Sequence, residues 1–420
     1  MILVSPVLPA LTVDGAVRIA LDNNLSLRQI ALNTGTAKRA ADRSWNTLLP
    51  TLNTQALLSH PTSITGPIEP ASRDVWTPGF SLSAGFTFSA SIADNIKKAR
   101  IDYESGLLSY EAAKQELELQ VRKLFYQILL LDANLELARQ NFTSAQGRYE
   151  QSAALTRAGQ APQLDELSAR VDMENLRPIV RNAETLYGNA LDTLKLILGL
   201  PMETVVKLDG ALSPGFTFQL SVVELGSGAS LEAEILRKNI QSMEAQKRAA
   251  RNGAYSPSLM FSWTSTPLYS RQNSNWNDNG SFSISLGLSI DKFLPWSGTK
   301  TQIDTLTDNI RAAEIQLTDT LRNRENRINQ NARTVESILE SLEAIKLNVE
   351  LAQSTYEMAL DAYKRGAADY QRLRSAGDGL EQAKNRLLQE HYNLISALLD
   401  LEKELNIPFG TLSSEQLVNN

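Results

Sequence analysis

From Phe80 to Ser89 apolar and small polar residues alternate without a break: Phe80, Leu82, Ala84, Phe86 and Phe88 lie on one parity, and Ser81, Ser83, Gly85, Thr87 and Ser89 on the other. The pattern returns from Phe282 to Asp291, with Ile284, Leu286, Leu288 and Ile290 against Ser283, Ser285, Gly287 and Ser289. Period two over about ten residues is the length and pattern of a strand that crosses a bilayer, one face to lipid and the other to a wet interior. A weaker strand precedes the first (Leu52, Thr54, Ala56, Leu58), and a clearer one precedes the second, where Leu259, Phe261 and Trp263 alternate with Ser258, Met260 and Ser262. The expectation is two hairpins, with strands at about 50–59 and 78–90, then at about 257–266 and 281–291.

A half-buried strand of a soluble sandwich alternates in the same way. The tryptophans separate the two readings. Trp45, Trp76, Trp263, Trp276 and Trp296 are all of the tryptophans, and each lies in or beside a hairpin. Indole rings favour the membrane–water interface because they are apolar with one polar edge. The connecting segments, Ser270–Asn275 and Asn277–Gly280, are polar and suit extracellular tips. Four strands cannot close a cylinder, since the smallest membrane barrels have about eight. The strands must therefore be pooled with those of other copies.

After each hairpin the period changes to 3.5. Val121, Leu124, Ile128, Leu131, Leu135, Ala138, Phe142, Ala145 and Tyr149 follow a 4-3 rhythm, and Ile328, Asn331, Val335, Ile338, Leu342, Ile345, Val349, Ala352 and Tyr356 repeat it. Such helices supercoil around partners. The first should extend over about 91–157, on the order of 100 Å at 1.5 Å per residue. Gly159 and Gly366 are placed to end the long helices, and Pro162 fits the first turn of a return helix. In that return helix Val171, Leu186, Ala190, Leu194 and Leu198 mark the expected inner stripe, and Pro178 an expected kink.

The chain is written twice. Pro50 and Pro257, Gly159 and Gly366, and Leu198-Gly199-Leu200 and Leu405-Asn406-Ile407 each stand 207 residues apart. The hairpin strands repeat at 202, so the intervening loops differ in length. The expected organisation is a first repeat at 1–200, with its return helix at about 161–198, and a linker or equatorial region at 201–230. A second repeat follows at 231–407, with a long helix at about 298–365 and a return helix at about 368–406, then a tail at 408–420. The fold class is mainly α with a transmembrane β-barrel: four strands per protomer and a helical coiled-coil tunnel.

Composition narrows the function. Of 420 residues, 42% are hydrophobic and 21% charged, so the chain can bury a core. No apolar run approaches the roughly 18 residues of a spanning helix; the best candidate, Ile128–Leu131, stops at Asp132. The net charge is −6 with both signs interspersed, which argues against nucleic acid. There are no cysteines, hence no disulfides and no thiolate metal sites. The two histidines, His60 and His391, belong to no nucleophile–base set or metal pair, so an enzyme is not expected, nor a cofactor or metal. Met1–Ala10 has no basic segment and is too short for a signal peptide; the expectation is that one was removed. The competing reading is a soluble coiled-coil scaffold, which the heptads support and the tryptophan-flanked strands do not.

This duplicated helix–hairpin–long helix–turn–helix unit resembles the TolC-like outer membrane efflux protein family, over about residues 11–407. The resemblance is carried by the opening segment Leu11–Ala16 through Ala20–Asn24 and by Leu48-Leu49-Pro50-Thr51-Leu52 at the strand entry. It is carried further by Leu294-Pro295-Trp296-Ser297-Gly298-Thr299-Lys300 after the last strand, and by Tyr363-Lys364-Arg365-Gly366 at the second tip. The resemblance implies a homotrimer with a 12-stranded barrel in outer-membrane lipid, a tunnel reaching into the periplasm, and passive transport. It also implies a periplasmic adaptor (membrane fusion) protein and an inner-membrane transporter of RND, ABC or MFS type, with efflux and type I secretion both served by the same duct. Docking would fall at the tips, on Arg157, Gly159, Gln160, Arg365 and Gly366. The family closes its periplasmic entrance with polar contacts at these tips. Asp165 matches its first acidic position and Tyr363 its tip tyrosine, whereas Arg372 and Ser375 stand where acidic residues are usual and Ala368 where an arginine is. The gate candidates are Asp165, Arg372, Arg374, Tyr363 and Asp369, with Asp165 expected to pair with Arg372 or Arg374.

Overall fold

Where the heptads run, the chain is helical; where apolar and polar positions alternate, it is extended. The computed structural model describes residues 10–60, 76–212, 230–270, 275–278 and 280–412. Residues 61–75 of the first loop, 271–274 and 279 of the second, 213–229 of the linker, 413–420 of the tail and the first nine residues lie outside them. The helices are α1 (Val13–Asn23), α2 (Leu25–Asp42), α3 (Ser91–Arg157), α4 (Gln163–Leu198), α5 (Leu231–Tyr255), α6 (Gly298–Lys364) and α7 (Tyr370–Leu405). The strands are β1 (Thr51–Ser59), β2 (Thr77–Phe88), β3 (Ser258–Ser265), β4 (Leu268–Ser270), β5 (Asn275–Asn277) and β6 (Ser281–Gly287). The fold is thus mainly helical with one antiparallel sheet. The compact units do not follow the two halves of the sequence. One comprises 1–31, 110–231 and 320–420, the other 32–109 and 232–319, so each draws on both repeats.

The second unit holds the sheet. Its main path is β1-β2-β3-β6, every pair antiparallel. Register sorts the side chains by face, because residues directly opposite one another share a side. Leu52, Ala84, Trp263 and Phe282 form one row, Phe86, Phe261 and Ile284 the next, and Phe88, Leu259 and Leu286 a third, all on one face. The opposite face carries Thr51, Gly85, Ser262 and Ser283, with the two serine hydroxyls 2.6 Å apart. The apolar face is uncovered: Leu52, Phe282, Ile284 and Leu286 are 74, 66, 59 and 72% exposed. Phe86 and Phe261 stack with centroids 4.6 Å apart.

The sheet departs from expectation twice. Four strands become six, because Pro267, which has no N–H to donate, separates β3 from a short continuation, β4, that pairs with β5. The last strand ends at Gly287 rather than near Asp291, and Ile290–Phe293 form a 3-10 turn. Gly287 pairs with Ser258, whose predecessor Pro257 cannot extend the ladder.

Beside the sheet, α5 is tied to α3 by polar contacts. Lys238 Nζ donates to Glu104 at 2.6 Å, Asn252 donates to Asp94 at 2.7 Å, and the Ser242 hydroxyl bonds Asp102.

The first unit is helical. One core gathers Ala16, Ala20, Phe125, Ile128, Leu194 and Leu198 from α1, α3 and α4; another gathers Val335, Leu342, Leu394, Leu398 and Leu401 from α6 and α7. The opening helix is not continuous but breaks at Asn24. That side chain accepts the Leu27 N–H at 3.0 Å and donates to the Ile197 carbonyl at 3.0 Å, satisfying the backbone that a break exposes. Glu402, 1% exposed, accepts the N–H groups of Gly410 (2.9 Å) and Leu412 (2.7 Å) and so anchors the turn after α7. Burial pushes its carboxyl above the usual range.

One further expectation fails in α4: Pro162 stands before the helix as its N-cap, in extended conformation, rather than in its first turn, while Pro178 lies inside the helix. The inner stripe is only half right. Leu194 and Leu198 are fully buried, but Val171 and Leu186 are 56 and 47% exposed, and Ala169 and Met173 face inward instead.

Candidate gate at the helix tips

Both hairpin tips of the first unit are built the same way. At the end of α3, Gly159 has φ +71°; its N–H donates to Thr156 O (3.0 Å) and that of Gln160 to Leu155 O (2.9 Å). At the end of α6, Gly366 has φ +72°, with Gly366 N–H on Tyr363 O (3.0 Å) and Ala367 N–H on Ala362 O (2.8 Å). Only glycine adopts this left-handed turn without strain, and the two crossed bonds satisfy carbonyls the helix leaves unpaired. The return helices start differently. Asp369 caps α7 by accepting the Arg372 N–H at 2.9 Å, whereas Pro162 offers α4 no side-chain cap. Arg157 and Arg365 stay local: Arg157 Nε donates to Ala153 O at 3.1 Å and Arg365 pairs with Asp361 at 2.5 Å.

Behind the tips, Tyr363, Tyr370, Leu373 and Ala169 form a buried cluster joined by Tyr149 and Tyr356. Tyr363 and Tyr370 meet edge to face with centroids 6.0 Å apart. The Tyr363 hydroxyl is buried with no hydrogen-bond partner among the described residues. The Tyr370 hydroxyl donates to Asp172 on α4 at 2.9 Å, and Arg374 Nη1 reaches the other Asp172 oxygen at 3.2 Å. The Asp172 side chain is 10% exposed. Burial, then the bond to Asp172, pushes the Tyr370 hydroxyl up to about 12, so it remains a donor throughout the physiological range. Arg374 also lies 3.8 Å from Asp378, one turn on along its own helix.

Asp172 and Arg374 line a cavity of about 250 Å³ shared with Arg148, Asp378, Glu381 and Lys384. Three acids and three bases balance the wall. Burial, with Asp378 nearby, holds the Glu381 carboxyl above its ordinary range.

The sequence candidates fall into this frame unevenly. Arg374 and Tyr363 belong to it, and Asp369 acts as a helix cap. Among the described residues Asp165 forms no ion pair with Arg372 or Arg374; Arg374 is engaged by Asp172, and Arg372 lies exposed. Asp172 and Tyr370 were not singled out from the sequence; no local signal marks them, because their link joins residues 198 positions apart. The tryptophans at the strands are exposed: Trp45, Trp76, Trp263, Trp276 and Trp296 are 53, 61, 40, 51 and 79% accessible. Trp276 packs edge-on against Tyr269, and Trp76 beside His60. Among the described residues no group of acids and histidines could hold a metal, and no helix is long and apolar enough to cross a membrane.

The described residues combine two helices of 67 residues, return helices of 36 and an open antiparallel sheet with one apolar face. The resemblance to the outer membrane efflux protein family holds: residues 16–200 match that family's sequence profile. The fold is that of solved outer-membrane channels. It superposes on the outer membrane protein VceC of Vibrio cholerae with TM-score 0.78 and 14% identity, covering 94% of this chain and 96% of that one. For the open-state MtrE outer membrane channel of Neisseria gonorrhoeae the values are 0.75 and 18%, with 94 and 89% covered. For CusC, a transmembrane channel, they are 0.76 and 17%, with 94 and 92% covered. No curated protein sequence matches this chain.

Proposed function

We propose that the chain is one protomer of an outer-membrane exit duct, passive in itself, through which an inner-membrane pump expels small molecules or polypeptide. The observation that supports this reading most is the ribbon. Its apolar face is exposed, and among the described residues β1 pairs only with β2 and β6 only with β3. An open edge is not tolerated in hydrocarbon, because each unpaired N–H or C=O there costs several kcal/mol. Three copies, each giving four principal strands, close a 12-stranded barrel; the two repeats of each chain supply the wall of the periplasmic tunnel. The tips at Gly159 and Gly366 meet the adaptor protein, and the pump behind it, of RND, ABC or MFS type, sets the cargo. No catalysis is assigned to the chain. The Asp172–Tyr370–Arg374 contact holds α4 to α7 and so keeps the entrance narrow. Arg374 can pass to Asp378 when the helices part, which keeps opening inexpensive.

Native mass spectrometry of material extracted from outer membranes in detergent tests the assembly. The expected species has about three times the 46.3 kDa chain mass. A single-chain particle would refute the reading.

A further inference from the structure

The strands of the second unit contain no ionisable side chain. From β1 to β6 there is no Asp, Glu, Lys, Arg or His, although 21% of the chain is charged. On the apolar face this follows from contact with hydrocarbon, which penalises charge. The opposite face has no such reason. In a barrel it meets water, where a charged side chain costs little and serves to tune selectivity.

What stands there instead is neutral and hydrogen-bonding. Register puts Thr51, Gly85, Ser262 and Ser283 in one row and Asn53, Ser83, Thr264 and Ser281 in the next. Gln55 and Ser81 lie beyond the second row, and Thr87 and Ser285 flank Met260 beside the first. Thr51, Asn53, Gln55, Ser281, Ser283 and Ser285 are exposed. Part of the wall bonds itself: Thr51 Oγ1 donates to the Gly85 carbonyl at 3.0 Å, and the Ser262 and Ser283 hydroxyls lie 2.6 Å apart.

Charges resume only where the strands end, and there the signs oppose each other. Asp291 and Lys292 share one turn. The segments that join the strands hold Glu69, Arg73, Asp74, Arg271 and Asp278, three acids against two bases. Screening has a length of about 8 Å at physiological ionic strength, so charges at the rim reach only the outermost rows.

A charged residue in any of these strands would recur in every copy around a closed barrel, forming a ring of one sign of the kind that sorts ions in channels. We propose that the barrel section of the duct is blind to the sign of charge, because its wet wall of hydroxyl and amide groups carries no ring of either sign. Anionic, cationic and neutral solutes, and a polypeptide bearing both signs, pass it on size. Sorting by charge falls to other parts of the duct or to the pump. This rests on the reading of the chain as a duct protomer and adds to it the class of cargo that the outer-membrane section admits.

The chain has no cysteine, so one introduced thiol reports alone. Ser283→Cys and Ile284→Cys, neighbours on opposite faces, are reconstituted as oligomers in lipid vesicles. Each is treated with two methanethiosulfonates, one bearing a trimethylammonium group and the other a sulfonate. Every rate is divided by that of the same reagent with free mercaptoethanol, and the cation-to-anion ratio of the corrected rates cancels the thiolate fraction. Ile284→Cys, facing lipid, is expected to react with neither reagent. Ser283→Cys is expected to react with both, at a ratio within about fivefold of unity, whereas a passage lined by one sign enriches its counter-ion by about tenfold or more. Adding Asn53→Asp, a near-isosteric change that creates a ring of carboxylates, should raise the ratio severalfold. A larger preference in Ser283→Cys, or a ratio that Asn53→Asp leaves unmoved, overturns the neutral passage and leaves the duct reading standing. Equal labelling of Ser283→Cys and Ile284→Cys, or a monomer, overturns both.

Discussion

Ile284→Arg is expected to abolish insertion into lipid. Ile284 lies in the row with Phe86 and Phe261, in the middle of β6 on the uncovered apolar face. An arginine facing hydrocarbon near the bilayer midplane costs about 2–4 kcal/mol. A barrel of three copies carries three such charges, so the penalty sums to about 6–12 kcal/mol, and the inserted fraction falls by roughly four orders of magnitude or more. Ser283→Arg, one residue earlier on the opposite face, meets water in a wet lumen and should insert nearly as wild type, although it loses the bond to Ser262. Flotation of refolded protein with lipid vesicles compares the two. Equal flotation of both variants would mean that the apolar face does not meet lipid.

Asp172→Ala should loosen the tip. Its carboxylate takes the Tyr370 hydroxyl and the Arg374 guanidinium together, and both lose their partner on α4 at once. Hydrogen bonds to a charged group contribute about 1.5–3 kcal/mol, so the ratio of open to closed tips should rise roughly 10- to 100-fold. Single-channel recording would show this as a higher open probability or larger mean conductance. Asp165→Ala and Arg372→Ala should change little, because among the described residues neither pairs with the other or with Arg374. A wild-type trace from Asp172→Ala, or a strong effect from Asp165→Ala, would move the latch elsewhere.

The features legible in sequence were those encoded locally. Heptad rows and the two glycines marked the long helices because each turn repeats the same demand. Strict alternation placed the strand faces because period two leaves one choice of side. What escaped depended on contacts between distant segments. Asp172 is an ordinary helical carboxylate until α7 brings Tyr370 beside it. Val171 and Leu186 read as core because periodicity finds apolar positions without saying which partner covers them, and a helix in an assembly has two such sides. The break at Asn24 was visible in principle, since asparagine before Leu25 and Ser26 is a cap waiting for a helix start, but the apolar rhythm runs through it. The early end of β6 follows from Pro257 on its neighbour, a constraint that appears only once the two strands are in register.

The account depends on ribbons from separate copies closing one cylinder around a continuous passage. Recording current across a planar lipid film after adding purified protein tests this directly. Uniform stepwise conductance increments, one per inserted oligomer, are the predicted result. A film that stays sealed while the protein demonstrably resides in it would contradict the account.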